Sequence, residues 1–395
     1  MFADHILEKL LFPISIEDFF SNYWEQKFIH IQRNNPEYFT DILGITDLDD
    51  FLSQQNLSTE GLRIVKDGKD VNPEEWTITN KLISGKTRTA IAIDKVFDFY
   101  DNGHTIVLNA ADRTIPRLAD ACRAFEQILK IKVQSNIYIT PPNSQGFSQH
   151  YDPHDIFTLQ IKGPKIWRIY DSDEELPTKY SSFKKKPVLV SQIEMNSGDL
   201  LYMPRGTIHE AFSSDVSTIG ANFSCKPRYG AHLLEQLAII AEQEEVFFRK
   251  TIPNGLQSVN DQKQYIADFK KKLIQFLTDD VVERLLNAQY MDFYTKQTIN
   301  YHGKFTELLH LEDITLNTVL RRNKGITYHV ENIGNQVIIS FSSKKLIIPL
   351  VINKELFLQD EPFKISDIKG LISNNGKLEI ARKFVVAGYF DIVSY

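Results

Sequence analysis

Apolar residues recur along this chain with two different periods, and the switches between those periods mark its parts. Phe19, Phe20 and Tyr23 fall at helical spacing, with Ser15 placed to cap the first turn and Asp18 to put an acid in it, so a helix is expected from residue 15. Phe28-Ile29-His30-Ile31 alternates as a strand does, which makes His30 a half-exposed strand histidine. A second helix, from about Asp47 to Gln54, opens in an acidic turn. Thr105-Ile106-Val107-Leu108-Asn109 reads as a short buried strand. Ile115–Ile131 reads as an amphipathic helix with Leu118, Cys122, Phe125 and Leu129 on one face.

From Val133 to about Ser224 the period changes to short strands separated by Gly/Pro turns such as Gly163-Pro164, the pattern of a double-stranded β-helix, two sheets folded over each other. The polar, turn-rich Thr59–Lys86 reads as irregular cover over the mouth of that barrel, and Ser181–Pro187 as a loop that is either a solvated face or a reach toward substrate. After Pro227 the pattern turns helical. Leu233, Leu237, Ile240 and Ala241 form one stripe and Ile266, Phe269, Leu273 and Phe276 another, with Pro253-Asn254-Gly255 breaking between them. The end of the chain mixes a helix at Thr315–Arg321, strands at Val337–Phe341 and Leu346–Val351, a further helix and a last strand, Phe384–Val393, an order like that of a winged-helix unit.

At 395 residues the chain exceeds what one core supports, and the pattern divides it into residues 1–230, a helical segment 231–300 and a C-terminal part 301–395. A net charge of −6 excludes a protein that coats nucleic acid through overall basicity. The C-terminal part, with eleven Lys/Arg against ten Asp/Glu from Phe305 onward, lacks the footprint of a duplex reader, which leaves packing, a protein partner or RNA beside a ribosomal substrate. Two cysteines, Cys122 and Cys225, make neither a disulfide framework nor a thiolate zinc site and suit a reducing cytoplasm. No signal peptide and no membrane span are expected.

The chemistry concentrates in Asn136–Tyr170. On an extended strand residues i and i+2 share a face, so His150 and Asp152 can offer an imidazole nitrogen and a carboxylate oxygen to one ion while Tyr151 points away. A lone His-x-Asp is more often a pair of ordinary polar residues at a strand end. A second signature, GDLLYMPRGTIH, supplies His209, 59 residues beyond His150, which is barrel spacing. Two histidines and one carboxylate on one face of a coordination sphere form the set used by non-haem Fe(II) oxygenases.

HYDPHDIFTLQIKGPKIWRIYD and GDLLYMPRGTIH resemble the JmjC-type cupin proteins related to the ribosomal oxygenases, and so do SIEDFFSNYWEQKFIHIQR and HTIVLNAADRTIPRL upstream. The resemblance covers most of the chain and is strongest between Asn136 and Ser224. It implies an α+β chain with a JmjC/cupin jelly-roll core, N-terminal helix and strand additions, a helical dimerisation segment and the C-terminal domain. It also implies Fe(II) and 2-oxoglutarate as cofactors and hydroxylation of an Arg or His side chain of a protein, ribosomal protein being the leading candidate. Members of that family pair through helices placed as residues 232–298 are here, so the apolar stripes are either core or a homodimer surface.

The far carboxylate of 2-oxoglutarate needs a cation. Lys165 shares a strand face with Trp167 and Ile169 and is expected to point inward, unless the Gly163-Pro164 turn leaves it exposed; the resemblance puts the cosubstrate lysine at the same position. Asn136, Tyr138 and Thr140 share a face of the first barrel strand, where Asn136 and Tyr138 match cosubstrate-contacting positions of the family or else make structural hydrogen bonds. On the last barrel strand the family's hydroxyl position falls on Ala221, near Asn222 and Ser224, and is left unassigned. His154 and Asp155 are expected to support the site or touch substrate. Two rival functions share these residues: the same chemistry on another peptide, such as a biosynthetic precursor, and a metal-binding cupin that serves as a scaffold or sensor. An aromatic cage for methyl-lysine is not evident.

Overall fold

The computed structural model describes residues 5–53, 59–81, 84–172, 174–178, 180–181, 186–253 and 258–395. Most of the Ser181–Pro187 run and the Asn254-Gly255 part of the helix break therefore lie outside the described residues. The chain divides into two compact units, Met1–Pro227 and Arg228–Tyr395.

The first unit carries β1 (Ile29–Ile31), β2 (Leu62–Lys66), β3 (Lys69–Asp70), β4 (Thr77–Lys81), β5 (Thr87–Ile91), β6 (Thr105–Leu108) and β7 (Lys132–Thr140). It continues with β8 (Asp155–Lys162), β9 (Lys165–Tyr170), β10 (Leu189–Met195), β11 (Leu200–Met203), β12 (Ile208–Ser213) and β13 (Thr218–Lys226). Eight of these strands form one sheet in the order β1-β11-β8-β13-β7-β6-β2-β3, and β10-β9-β12 form a smaller one. Alternation on β9 is complete: Lys165, Trp167 and Ile169 are buried and the residues between them are not. Trp167, Ile169, Ile193 and Met195 of the small sheet pack with Leu201 and Met203 of the large one, so the two sheets close over a shared apolar layer. This is the jelly-roll core that the strand-and-turn pattern predicts.

The other face of the large sheet is covered by helices. Pro116 starts the helix Pro116–Leu129 with φ already set for it, and Lys130 ends it in the left-handed conformation. Its buried Phe125 stacks on Phe223 and leans on Phe157, with ring centroids 5.2 and 5.1 Å apart. Ser15 caps the helix Ile16–Asn22 by accepting the Asp18 amide, as its sequence position predicts.

Four expectations change. The part of Thr59–Lys86 that is described is not irregular: it holds β2, β3, a helical turn Pro73–Trp76 and β4, and β2 pairs with β6 to extend the large sheet. His30 is not a bland strand residue, because its Nε2 lies 3.2 Å from Asp199 Oδ2. Asp199 also accepts the Arg33 amide at 2.7 Å and the Asn196 amide at 2.9 Å, so the Gly198-Asp199 turn fastens β1 and its own loop. Gly198 has φ of 92° and a Cβ there would sit 2.0 Å from the Asn35 carbonyl oxygen, which leaves glycine as the residue that fits.

In the second unit, the helices Gly230–Glu244, Val259–Phe276 and Asp279–Lys296 precede β14 (Val319–Arg322), β15 (His329–Ile333), β16 (Gln336–Phe341), β17 (Lys344–Pro349), β18 (Phe363–Lys364) and β19 (Phe390–Ser394). The strands form two antiparallel three-stranded sheets, β18-β14-β19 and β15-β16-β17. The third and fourth corrections fall here. Thr315–Arg321 is a turn running into a strand rather than a helix: the Thr318 amide bonds back to Thr315 O and Arg321 then pairs with Asp391 of β19. The helix Asn374–Ala387 also runs through Phe384 before β19 begins. Among the described residues no helix is long and apolar enough to cross a membrane.

Candidate metal centre

His209 sits at the start of β12, whereas His150 and Asp152 lie in the loop between β7 and β8 and not on a strand as expected. The loop nevertheless holds His150 in extended form, because His150 and His209 make an isolated antiparallel bridge. The His150 amide donates to the His209 carbonyl at 3.0 Å and the His209 amide to the His150 carbonyl at 2.8 Å. Asp152 is fastened from the other side, its carbonyl accepting the Gly206 amide at 2.9 Å. The Pro-x-Gly turn thus fixes the acid two residues from one histidine and delivers the second.

The ring orientations follow from local carbonyls. His150 Nδ1 lies 2.7 Å from Ser148 O and His209 Nδ1 lies 2.9 Å from Thr207 O, each two residues upstream. A carbonyl only accepts, so each Nδ1 carries a proton and Nε2 is the nitrogen that each ring turns toward the carboxylate. Both Nε2 atoms face one oxygen: Asp152 Oδ2 is 3.9 Å from His150 Nε2 and 3.8 Å from His209 Nε2. The three donor atoms lie within 4.8 Å of one another. Burial and the neighbouring His150 push His209 down to about 4 against the pull of Asp152, so its imidazole is neutral at neutral pH. Fixed tautomers, a neutral imidazole and a shared carboxylate are what a divalent ion with N/O preference requires, and the donor set fits Fe(II).

A cavity of about 50 Å³ adjoins the triad, lined among others by Tyr138, Thr140, Lys165, Trp167 and Asn222. Lys165 is 7% exposed, points into it, and donates to Thr140 Oγ1 at 3.4 Å. Burial alone pushes its ammonium down to about 8, with no carboxylate among the described residues to offset it. Tyr138 is pushed up to about 12 by burial and by Asp152, so its hydroxyl remains a donor. Trp167 places a buried Nε1 without a hydrogen-bond partner among the described residues, its ring 5.6 Å from that of His209.

The remaining sequence candidates separate. Asn136 is not among the residues that line the cavity; its Oδ1 accepts from the Ala110 amide at 2.9 Å and from Gln134 Nε2 at 3.2 Å. Ala221 packs into the core between sheet and helices, while Asn222, one residue on and opposite Asn136 in register, reaches the cavity. Asp155 begins β8, accepts the Tyr202 hydroxyl at 2.6 Å and is raised to about 6 by burial. Burial also lowers His154. Thr140, which alternation places on the face of Tyr138, does line the cavity, whereas Trp167 and Asn222 were not singled out as site residues, although period 2 from Lys165 leads directly to Trp167.

Comparison with known proteins agrees with this geometry. Residues 108–233 match the family described as "JmjC domain". A bifunctional lysine-specific demethylase and histidyl-hydroxylase NO66 of Drosophila sechellia is 33% identical over 52% of this chain and 31% of its own length. Its counterpart in Drosophila yakuba is 31% identical over 73% of this chain and 43% of its own. The chain thus spans less than half the length of these relatives. The crystal structure of ycfD from E. coli superposes with a TM-score of 0.57 and 15% identity over 96% of this chain and 98% of that one, which shows a shared fold. The same protein, titled a ribosomal oxygenase, was also solved with cobalt and 2-oxoglutarate, at a TM-score of 0.55.

Proposed function

We propose that this chain, which carries a JmjC domain over residues 108–233, is an Fe(II)- and 2-oxoglutarate-dependent oxygenase that hydroxylates an Arg or His side chain of a protein, a ribosomal protein first among candidates. One observation carries the reading: two imidazoles and a carboxylate converge beside a cavity whose buried cation, Lys165, has no ion-pair partner among the described residues. A purely structural scaffold has no use for an unpaired buried ammonium, which costs stability until an anion arrives. The names of the relatives, which include histidyl-hydroxylase, and of the fold neighbour, which bound cobalt and 2-oxoglutarate, support the assignment by analogy.

His150, Asp152 and His209 would hold the metal. When bound, Fe(II) with 2-oxoglutarate and dioxygen supplies the oxidising power for inserting oxygen into a C–H bond. The protein's own work is placement. Lys165 and the Thr140 hydroxyl receive the carboxylate remote from the metal, Tyr138 donates its hydroxyl from the same face, and Asn136 fastens the strand beneath it through the Ala110 amide. Trp167 packs against His209 and excludes water from that side.

A homodimer is part of the proposal. The helix Val259–Phe276 buries none of its residues, and Ile266 and Ile274 are 50% and 75% exposed, an apolar surface that a second copy would cover. The buried free thiols Cys122 and Cys225 suit a cytoplasmic protein. Peptide mass spectrometry of ribosomal and other cellular proteins, with the active chain and with Asp152→Ala, tests the function. A peptide that gains one oxygen on Arg or His only with the active chain is the expected result. No oxygenated peptide with loaded enzyme would refute it.

A further inference from the structure

Asp67-Gly68 is the two-residue turn between β2 and β3, with Lys66 opposite Lys69 in register. Both turn residues have positive φ, 51° and 77°, the arrangement of a type I′ turn and the reason Asp-Gly occurs there. Its tip does not end in solvent. The Asp67 amide donates to the Gln145 carbonyl at 3.0 Å and the Gly68 amide to the Gly146 carbonyl at 2.7 Å, so the hairpin grips the loop that carries His150. Gln145 is held in turn, bridging Phe212 of β12 and donating through Nε2 to Phe147 O and Glu210 Oε2.

The closest approach comes one step further along the loop. A Cβ at Gly68 would meet Ser148 Oγ at 2.6 Å, Ser148 Cβ at 3.2 Å and the Ser148 amide nitrogen at 3.3 Å. The hydroxyl can rotate away, but the Cβ and nitrogen move only with the main chain. That main chain ends in the Ser148 carbonyl, the acceptor that fixes the His150 ring through Nδ1 at 2.7 Å. Turn, loop and imidazole form one mechanical sequence within the first unit.

We propose that the Asp67-Gly68 turn is a positioning device for the metal centre, in which the missing side chain of Gly68 lets the hairpin seat Ser148 so that its carbonyl aims His150. The proposal rests on the reading of His150, Asp152 and His209 as ligands. Gly68 lines no part of the metal site or the cavity, and its missing side chain acts through Ser148.

The test is Co(II) titration of the full chain, followed by the visible absorption band of the bound ion. Gly68→Ala is expected to weaken Co(II) binding by about 10–100-fold, the range for groups that orient a ligand, and to alter the band. Gly85→Ala is the control. Its φ of 79° imposes the same backbone cost, but nothing lies within 4 Å, so native Co(II) affinity and band are expected despite lowered stability. Combining Gly68→Ala with Ser148→Gly removes both Ser148 side-chain atoms and should restore most of the affinity. Ser148→Thr crowds the same contact from the other side and decides the matter should Gly68→Ala not fold. Native Co(II) binding in a folded Gly68→Ala or in Ser148→Thr, or an equal loss in Gly85→Ala, overturns the positioning role while Asp152→Ala still abolishes binding. Wild-type Co(II) binding that survives Asp152→Ala overturns the metal reading and this proposal with it.

Discussion

His150 and His209 exchange two backbone hydrogen bonds, at 3.0 and 2.8 Å, across 59 positions of sequence, and through them the jelly roll sets the distance between two imidazoles before any ion arrives. Preorganisation of this kind makes each ligand count fully. His150→Ala, Asp152→Ala and His209→Ala are each expected to abolish turnover and cut metal affinity by orders of magnitude while leaving the melting temperature of the metal-free protein nearly unchanged, since the bridge is made by backbone. Calorimetric metal titration with all three variants decides it, and undiminished binding throughout would sink the site.

Lys165→Ala is expected to raise the 2-oxoglutarate dissociation constant about 10–100-fold, because a buried carboxylate loses its charge-assisted partner. The pH dependence follows from its position. In the free protein Lys165 titrates at about 8 against an ordinary 10.5, so between those values the unfolded chain holds more protons and this group makes stability rise with pH. A bound carboxylate favours the charged form. Cosubstrate affinity should therefore fall as pH rises through about 8, with proton uptake on binding near that pH. Calorimetry in two buffers of different ionisation enthalpy reads the uptake directly, and Lys165→Met should show none.

Asp199→Ala should cost about 2–4 kcal/mol, since the Arg33 and Asn196 amides and the His30 ring lose one buried acceptor together. Chemical denaturation measures it. A loss below about 0.5 kcal/mol would mean that water replaces the carboxylate.

What the sequence disclosed, and what it hid, divides by range. The helix Pro116–Leu129, the start of β7 and the alternation that buries Lys165 are local patterns and were legible within a residue or two. The ligand triad was legible because its spacing is itself the motif, although His-x-Asp owes its extended form to a partner on β12 rather than to a strand of its own. His30 was misread because its partner is 169 positions away. The position on the last barrel strand was left unassigned among Ala221, Asn222 and Ser224, and the cavity lining, which includes Asn222, resolves it. The β2–β3 hairpin was legible and overlooked: Asp-Gly between Val65-Lys66 and Lys69 is a strong two-residue turn signal hidden in a polar stretch. Thr315–Arg321 carries no periodicity, and tertiary pairing with β19 made its end, from Val319, a strand.

The helical segment should hold two chains together. Leu234, Ile266 and Ile274 are 66%, 50% and 75% exposed, and the last two, eight residues apart, share one face of the helix Val259–Phe276, an apolar face that a second copy would cover. Light scattering is expected to give twice the mass of one 45.6 kDa chain, and Ile266→Glu with Ile274→Glu to give monomers. A wild-type monomer at high concentration would refute the pairing.

The C-terminal unit is expected not to bind duplex DNA, and its structure strengthens the argument from charge. Arg321 and Arg322, which a helix would have presented together, lie instead on β14, where successive side chains point to opposite faces. Arg322 is already engaged: it pairs with Asp360 and lies over the Tyr328 ring at 4.9 Å. Of the three cations on the helix Asn374–Ala387, two are engaged within the unit, Lys377 donating to Ser366 O at 2.8 Å and Arg382 to Leu311 O at 3.1 Å, which leaves Lys383 exposed. A phosphate backbone would have to displace these partners, each phosphate contact being worth only what counterion release returns. A gel shift with the full chain at physiological salt should show no retarded duplex, whereas tight binding that weakens steeply with added salt would show that the local charges escape their partners and that this unit reads nucleic acid.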